Sequence, residues 1–323
     1  MSSTATVARR ELVALRRDRL LVVLLGFLAA VTLVSVIVGA AAFRAQLEAY
    51  QLYVQQLEQS GSSTRAAAPR LFPLQLLRGS VEYVEILGAL FAIVLGYGAV
   101  ATEKYRGTLP LLLSRPVGRF ALPLGKLAGI AGIWLAVVVA LTVLWTAAIV
   151  GIGSASLGPA DLGRILIVGA FSWLYLVFWS ALAVALTAVT SRLSLGLILA
   201  IVIWLTFVLI IPQLGDTMDP DNQVPGGLFK ALEIDSSSEA AVIAHFATFE
   251  ELRNFLESAS PTKHFERLAF AFLGIDDDFN QKPIGVVWSG IWGYAVAIAA
   301  AGVAAVAAAA LVTTRSNLQR TRS

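Results

Sequence analysis

The segment from Leu20 to Ala42 carries no charged side chain and is built from Leu, Val, Ala, Ile and Phe with little interruption. A run of that length constrains the chain more than any other feature. Crossing a hydrocarbon layer of ~30 Å takes about 20 helical residues, and lipid admits only helices and closed barrels because backbone groups find no water there. Similar runs recur along the 323 residues. With 58% hydrophobic and 14% charged residues and a mean hydropathy of +0.78, a soluble fold has too little polar surface to hide them. The basic start "VARRELVALRRDR" imitates a signal peptide, but the run behind it lacks a small-residue cleavage pattern, so it is expected to remain as a spanning helix.

The pattern predicts an all-α integral membrane protein with six transmembrane helices near 20–43, 82–101, 125–150, 165–189, 195–213 and 285–313. Orientation follows from lysine and arginine in the short connections. Arg9, Arg10, Arg16, Arg17 and Arg19 precede the first helix, and Lys104, Arg106, Arg115, Arg119 and Lys126 lie between the second and third. Arg192 separates the fourth from the fifth, and Arg315, Arg320 and Arg322 close the chain. All fall on one side of a six-helix bundle, which predicts a multi-pass protein of the cell membrane with both termini in the cytoplasm. The resulting partition is a basic segment 1–19, five helices over 20–213, an extracytoplasmic helical loop 214–284, the sixth helix 285–313 and a tail 314–323. Within 20–213 an outer loop covers 44–81 and a cytoplasmic segment covers 102–124.

The outer loops carry structure of their own. Phe43, Leu47, Tyr50, Val54 and Leu57 recur at helical spacing before "SGSS" breaks the pattern, so the first helix is expected to continue beyond the membrane. The large loop holds 13 of the chain's 21 carboxylates. Three helix starts are legible in it, at Ser236 with Glu239, Thr248 with Glu251, and Ser260 followed by Pro261. Phe265, Leu268, Ala269 and Phe272 give the last of these an apolar face, and Gly274 ends it. Glu82 and Glu85 stand at the mouth of the second helix, either at the interface near Arg78 or lining an outer cavity.

Several chemistries drop out. The chain has no cysteine, two histidines (His245 and His264) and two methionines, which leaves no ligand set for zinc or copper. Asp276, Asp278 and Asn280 imitate half a calcium loop, but Gln281 replaces the required glycine and Val287 the bidentate glutamate. No hydrolytic triad or carboxylate pair has a supporting context, and no nucleic-acid partner is indicated. The spans are expected to be nearly free of charge, which argues against an ion-driven carrier. Gly125 with Gly129, Gly96 with Gly98, and Gly290 with Gly293 read as helix-packing faces, and Trp173, Trp179, Trp288 and Trp292 as an aromatic belt.

The stretch "TEKYRGTLPLLLSRPVGRFALPLGK" ends in Gly125-Lys126 and invites comparison with a phosphate-binding loop. The comparison fails. Phe120 occupies the position of the first required glycine, and Leu127 follows where Ser or Thr must reach magnesium. Leu109, Leu111, Leu112 and Leu113 instead form an apolar ridge stopped by Pro116, which predicts a short amphipathic helix on the cytoplasmic face.

Glu103, Gly107-Thr108-Leu109, Leu112-Leu113, Pro116, Arg119 and Gly125-Lys126 stand in an order similar to the signature of permease subunits of type-two ABC exporters, with Arg106 spaced to pair with Glu103. The branch serving nitrous-oxide-reductase maturation is nearest in pattern. The N-terminal "RRELVALRRDRL", with Arg10 and Glu11, resembles that family's amphipathic elbow helix. The resemblance implies that 103–119 is a coupling helix seated on a separate ATP-binding subunit. It also implies a homodimer with two copies of that subunit, ATP and magnesium held by the partner rather than by this chain, and an extracytoplasmic accessory protein on the outer loop. The cargo implied is hydrophobic or amphipathic, moved by alternating access. A membrane scaffold or integral-membrane enzyme without an ATPase is the alternative, and an assembly permease a third possibility within the family.

Overall fold

The computed structural model describes residues 19–59, 72–106, 120–151, 157–218, 251–252, 255, 257–314 and 317. Among them there is no strand; the architecture is all-helical. Six helical stretches are long and apolar enough to cross a membrane: Gly26–Leu57, Pro73–Thr102, Ala121–Gly151, Pro159–Val189, Leu193–Leu214 and Ile284–Val312.

The first helix, α1 (Arg19–Gln59), is 41 residues long and therefore roughly 60 Å, about twice a bilayer core. Its extension beyond the first span is continuous. Phe43, Leu47, Tyr50, Val54 and Leu57 are the half-buried positions among mostly exposed neighbours, the stripe that the spacing predicts.

The second span starts nine residues before the expected position 82. A 3-10 turn (Pro73–Leu77) leads into α2 (Arg78–Tyr83), a π turn (Val84–Gly88) and α3 (Ala89–Arg106). Glu82 does not mark the helix mouth, because Arg78 Nε donates to Glu82 Oε1 at 3.0 Å one turn away on the exposed side. The fourth span, α5 (Pro159–Val189), likewise starts before 165. Pro159 sets its first turn, and the Gly158 amide donates to Asp161 Oδ2 at 2.9 Å.

Between these lies α4 (Ala121–Gly151). The fifth span runs through α6 (Leu193–Leu205), a second π turn (Thr206–Ile210) and α7 (Ile211–Met218), and the chain returns in α8 (Pro261–Leu273) and α9 (Ile284–Val312).

At the centre stands α5, which packs against α3, α4, α6, α8 and α9. Tyr175 and Trp179 on α5 and Trp134 and Trp145 on α4 are fully buried. This corrects the aromatic belt: Trp179 is a core residue, while Trp288 and Trp292 on α9 are the exposed ones. Trp134 Nε1 donates to Ser180 Oγ at 2.9 Å, and Ser180 Oγ donates to Ala92 O at 2.9 Å, tying α4, α5 and α3 at one level. There α3 and α5 meet backbone to backbone. A Cβ on Gly96 would stand 2.2 Å from Ser180 O, so a side chain is excluded at that crossing. The outward faces stay apolar, as with Val139, Val143, Trp292 and Val303, which suits lipid rather than water.

Candidate functional site

Two polar assemblies interrupt the apolar bundle. The first is at the basic end, where α3 stops, α4 starts and α5 turns into α6. Lys104, near the end of α3, is buried, and its Nζ donates to the carbonyls of Thr187 (2.9 Å), Ala188 (3.1 Å) and Thr190 (3.0 Å). These are the last carbonyls of α5, without helical partners of their own, and a cation there also meets the negative end of the helix dipole. Lys126, one turn into α4, is buried as well and donates to Ala99 O of α3 at 2.8 Å. Sequence reasoning took both lysines as surface charges of a cytoplasmic connection. The structure makes them internal ties between helix ends.

The second assembly surrounds α8. Ser260 caps it, its Oγ accepting from the Lys263 amide at 3.3 Å; Pro261 follows at the first helical position, and Gly274 closes it at φ 65°. Phe265, Leu268, Ala269 and Phe272 are fully buried, as the sequence spacing predicts. Phe265 lies flat on Tyr175, ring centroids 4.7 Å apart. Tyr175 stands about 24 Å along α5 from Pro159, near its midpoint, at 1.5 Å per residue. At the other end of α8, Arg164 Nη1 donates to Phe272 O at 3.0 Å, and Arg164 lies in the second turn of α5. So α8 runs along half of α5, reaching from the end away from the basic corner to its middle.

Tyr175 Oη donates to Glu85 O at 3.0 Å and lies 3.2 Å from Thr262 Oγ1, while Ser260 Oγ donates to Phe207 O at 3.2 Å. The polar side of α8 is paired within itself and with its neighbours. Lys263 meets Glu266 at 2.8 Å, Arg267 pairs with Glu257, and Arg267 Nη1 donates to Tyr294 Oη at 2.9 Å on α9. Burial alone lowers the Lys263 pKa, but the nearby Glu266, with Glu257 and Glu85, raises it on balance. His264 Nε2 donates to Ser258 O (2.9 Å) and its ring tilts against the Tyr294 ring; burial holds its pKa below the ordinary value, the Ser258 carbonyl works the other way and Arg267 adds to the lowering.

Of the two carboxylates placed at the outer mouth, Glu82 is exposed and paired with Arg78. Glu85 is buried within the span, only 6% exposed, in the π turn beside α8. The expectation of spans nearly free of charge is therefore corrected: Glu85, Lys126 and Arg164 are all inside helices of the bundle and buried. Arg164 falls just before the expected helix start at 165; an arginine followed by an uncharged, mainly apolar stretch as far as Ser191 is the signal that points to it. Glu103 and Arg106 lie on the last turn of α3. Gly107, Thr108, Leu109, Leu112, Leu113, Pro116 and Arg119 fall outside the described residues, as do Arg10 and Glu11 and the helix starts at Ser236 and Thr248. Among the described residues no group of His, Cys, Asp and Glu is placed to hold a metal.

Residues 5–317 match the family described as ABC-2 family transporter protein. The chain belongs to that family. The match covers nearly all of the sequence, the six spans and α8 included. An ABC-2 permease is a transport subunit, and such permeases generally work with an ATP-binding subunit. No curated protein matches this ABC-2 permease at a significant level.

Proposed function

We propose that this permease is the membrane half of an ABC exporter or extruder, working as a homodimer with two copies of a separate ATP-binding subunit that holds ATP and magnesium. The observation that carries the reading is the family match over residues 5–317 together with six apolar helices. The cargo is hydrophobic or amphipathic and passes by alternating access between the two copies. Energy enters through Glu103, Arg106, Gly107, Thr108, Leu109, Leu112, Leu113, Pro116 and Arg119, the coupling segment, with Arg10 and Glu11 on an elbow helix at the cytoplasmic surface.

This assignment puts the basic corner on the cytoplasmic side in the cell membrane, both termini with it, and α8 on the outer side. There α8 borders the exit of the path, with Glu82 and Glu85 on its flank, and the acidic loop before it is a docking place for an extracytoplasmic accessory protein. Within the family we place the chain nearest the permeases of nitrous-oxide-reductase maturation, on the order of residues from Glu103 to Lys126.

The test is co-purification of the permease with an ATP-binding subunit and measurement of ATP hydrolysis by the pair in lipid. Substitutions at Gly107, Leu112 or Arg119 are expected to leave the partner's nucleotide binding intact while breaking the link between hydrolysis and transport. A permease that purifies without any ATPase, or variants that remain fully coupled, would overturn the proposal.

A further inference from the structure

Lys104 lies at the start of the proposed coupling segment 103–119, on the last turn of α3, and its ammonium is spent on a different helix. Three carbonyls within 3.1 Å surround Nζ, all from the end of α5, and the side chain is only 5% exposed. A positive-inside charge needs no such cage. From this corner α3 and α5 run side by side in the same direction, and their contacts form one continuous seam. Lys104 meets Thr187, Ala188 and Thr190; Gly96 closes on Ser180, and Ala92 O accepts from the same serine; Tyr175 reaches Glu85 O just ahead of α3. The far end of the seam is the foot of α8, through Thr262 and the stacked Phe265. Lys126 adds a return tie, holding the start of α4 to Ala99 on α3, so both ends of the segment 107–119 leave from helices tied to that seam.

We propose that Lys104 is a positioning residue for coupling: it clamps the end of α3 to the end of α5 so that the two helices move as one rod. That rod carries displacement of the coupling segment to the middle of the bundle, where α8 begins. The inference rests on the coupling role of residues 103–119 proposed above. A rigid element with two discrete positions, biased at one end by nucleotide closure and read at the other, is what such long-range coupling requires. Without the ammonium, α3 can follow the ATP-binding subunit while α5 stays behind.

The chain has no cysteine, so single labels can be introduced directly. One spin label is placed at Thr102→Cys on α3 beside the basic corner and, in a second preparation, one at Asp278→Cys in the turn after α8; both positions are exposed. Distances between the two copies are read in the complex with its ATP-binding subunit, with and without vanadate-trapped nucleotide. In the unsubstituted chain both distances are expected to shift. In Lys104→Met the shift at position 102 persists and the shift at 278 is lost, with transport per ATP falling at least about fivefold, the lower end of ordinary allosteric coupling. Lys104→Arg, which keeps charge and donors, restores both.

Gly96→Ala separates the two helices at their crossing and is expected to act like Lys104→Met. A third measurement needs no weakening variant: labels at Thr102→Cys and Ser191→Cys in one copy, diluted with unlabelled chain, keep their separation on trapping. A change in that separation, or a full shift at 278 in Lys104→Met, overturns the clamp while leaving the coupling segment intact. If neither 102 nor 278 shifts in the unsubstituted complex, the coupling reading itself falls and the clamp with it.

Discussion

Gly274→Ala tests whether α8 is held where the structure puts it. Two penalties are set by the backbone. Gly274 sits at φ 65°, a left-handed conformation that costs an L residue about 1–2 kcal/mol. A Cβ there would stand 2.5 Å from Phe72 Cδ1 and 2.9 Å from Cε1. The ring has little room to retreat, because it is buried and the Arg164 guanidinium lies over it at 5.1 Å. Overpacking of this kind costs about 1–3 kcal/mol. The sum is about 2–5 kcal/mol, which corresponds to a loss of about 4–10 °C in the apparent unfolding midpoint of the purified permease.

Tryptophan fluorescence or size-exclusion profiles after heating measure it. Two further variants separate the terms. Gly274→Asn tolerates the left-handed backbone but keeps the overlap, so it falls between glycine and alanine. Gly274→Ala combined with Phe72→Ala loses the overlap, so the double variant is less destabilised than the sum of the singles by about 1–3 kcal/mol. Strict additivity, or an alanine variant as stable as the parent, would refute the packing of Phe72 against the end of α8.

Ser260→Ala removes the cap of α8 and the donor to Phe207 O, and is expected to cost about 1–2 kcal/mol by the same thermal assay. Arg164→Met leaves the carbonyls of Phe272 and Lys282 without their donor, and is expected to cost about 3 kcal/mol and to open the α8–α9 turn to protease. His264 has a lowered pKa in the folded chain, so the unfolded chain takes up its proton first as pH falls below about 6.5. Stability is full above that pH and declines as pH drops toward the folded value; His264→Gln should flatten the decline, measured as unfolding midpoints between pH 7.5 and 5.5.

The two assemblies differ in how far the sequence announces them, and the difference is physical. Ser260-Pro261, the apolar positions 265, 268, 269 and 272, and Gly274 are local signals, each acting within one turn, and α8 forms where they say. The stripe from Phe43 to Leu57 is local in the same sense. Lys104 is different, because its partners are more than 80 residues away and its pattern in sequence matches any positive-inside charge. Arg78 and Glu82 mislead in the opposite direction: two charges at a helix mouth read as its end, yet they neutralise one another at i,i+4 and the helix passes beneath them. Glu85, one turn further, reads as their companion and is instead buried.

The two π turns bear on why α8 can sit where it does. In such a turn the hydrogen-bond ladder slips by one residue, which frees a carbonyl from its usual partner. A bare carbonyl in an apolar bundle is costly, so each must be answered from outside the helix. In Val84–Gly88 the acceptor is the second residue, Glu85, answered by the Tyr175 hydroxyl; in Thr206–Ile210 it is again the second, Phe207, answered by Ser260. Both donors meet at the foot of α8: Ser260 is its cap, and Tyr175, on α5, lies 3.2 Å from its Thr262. The irregularities in the second and fifth spans and the seat of α8 are thus one arrangement, each satisfying the other's polar groups. Withdrawal of α8 from that seat takes Ser260 from the Phe207 carbonyl and strips Thr262 and the Phe265 ring from Tyr175, which gives the helix a discrete docked position rather than a continuum of depths.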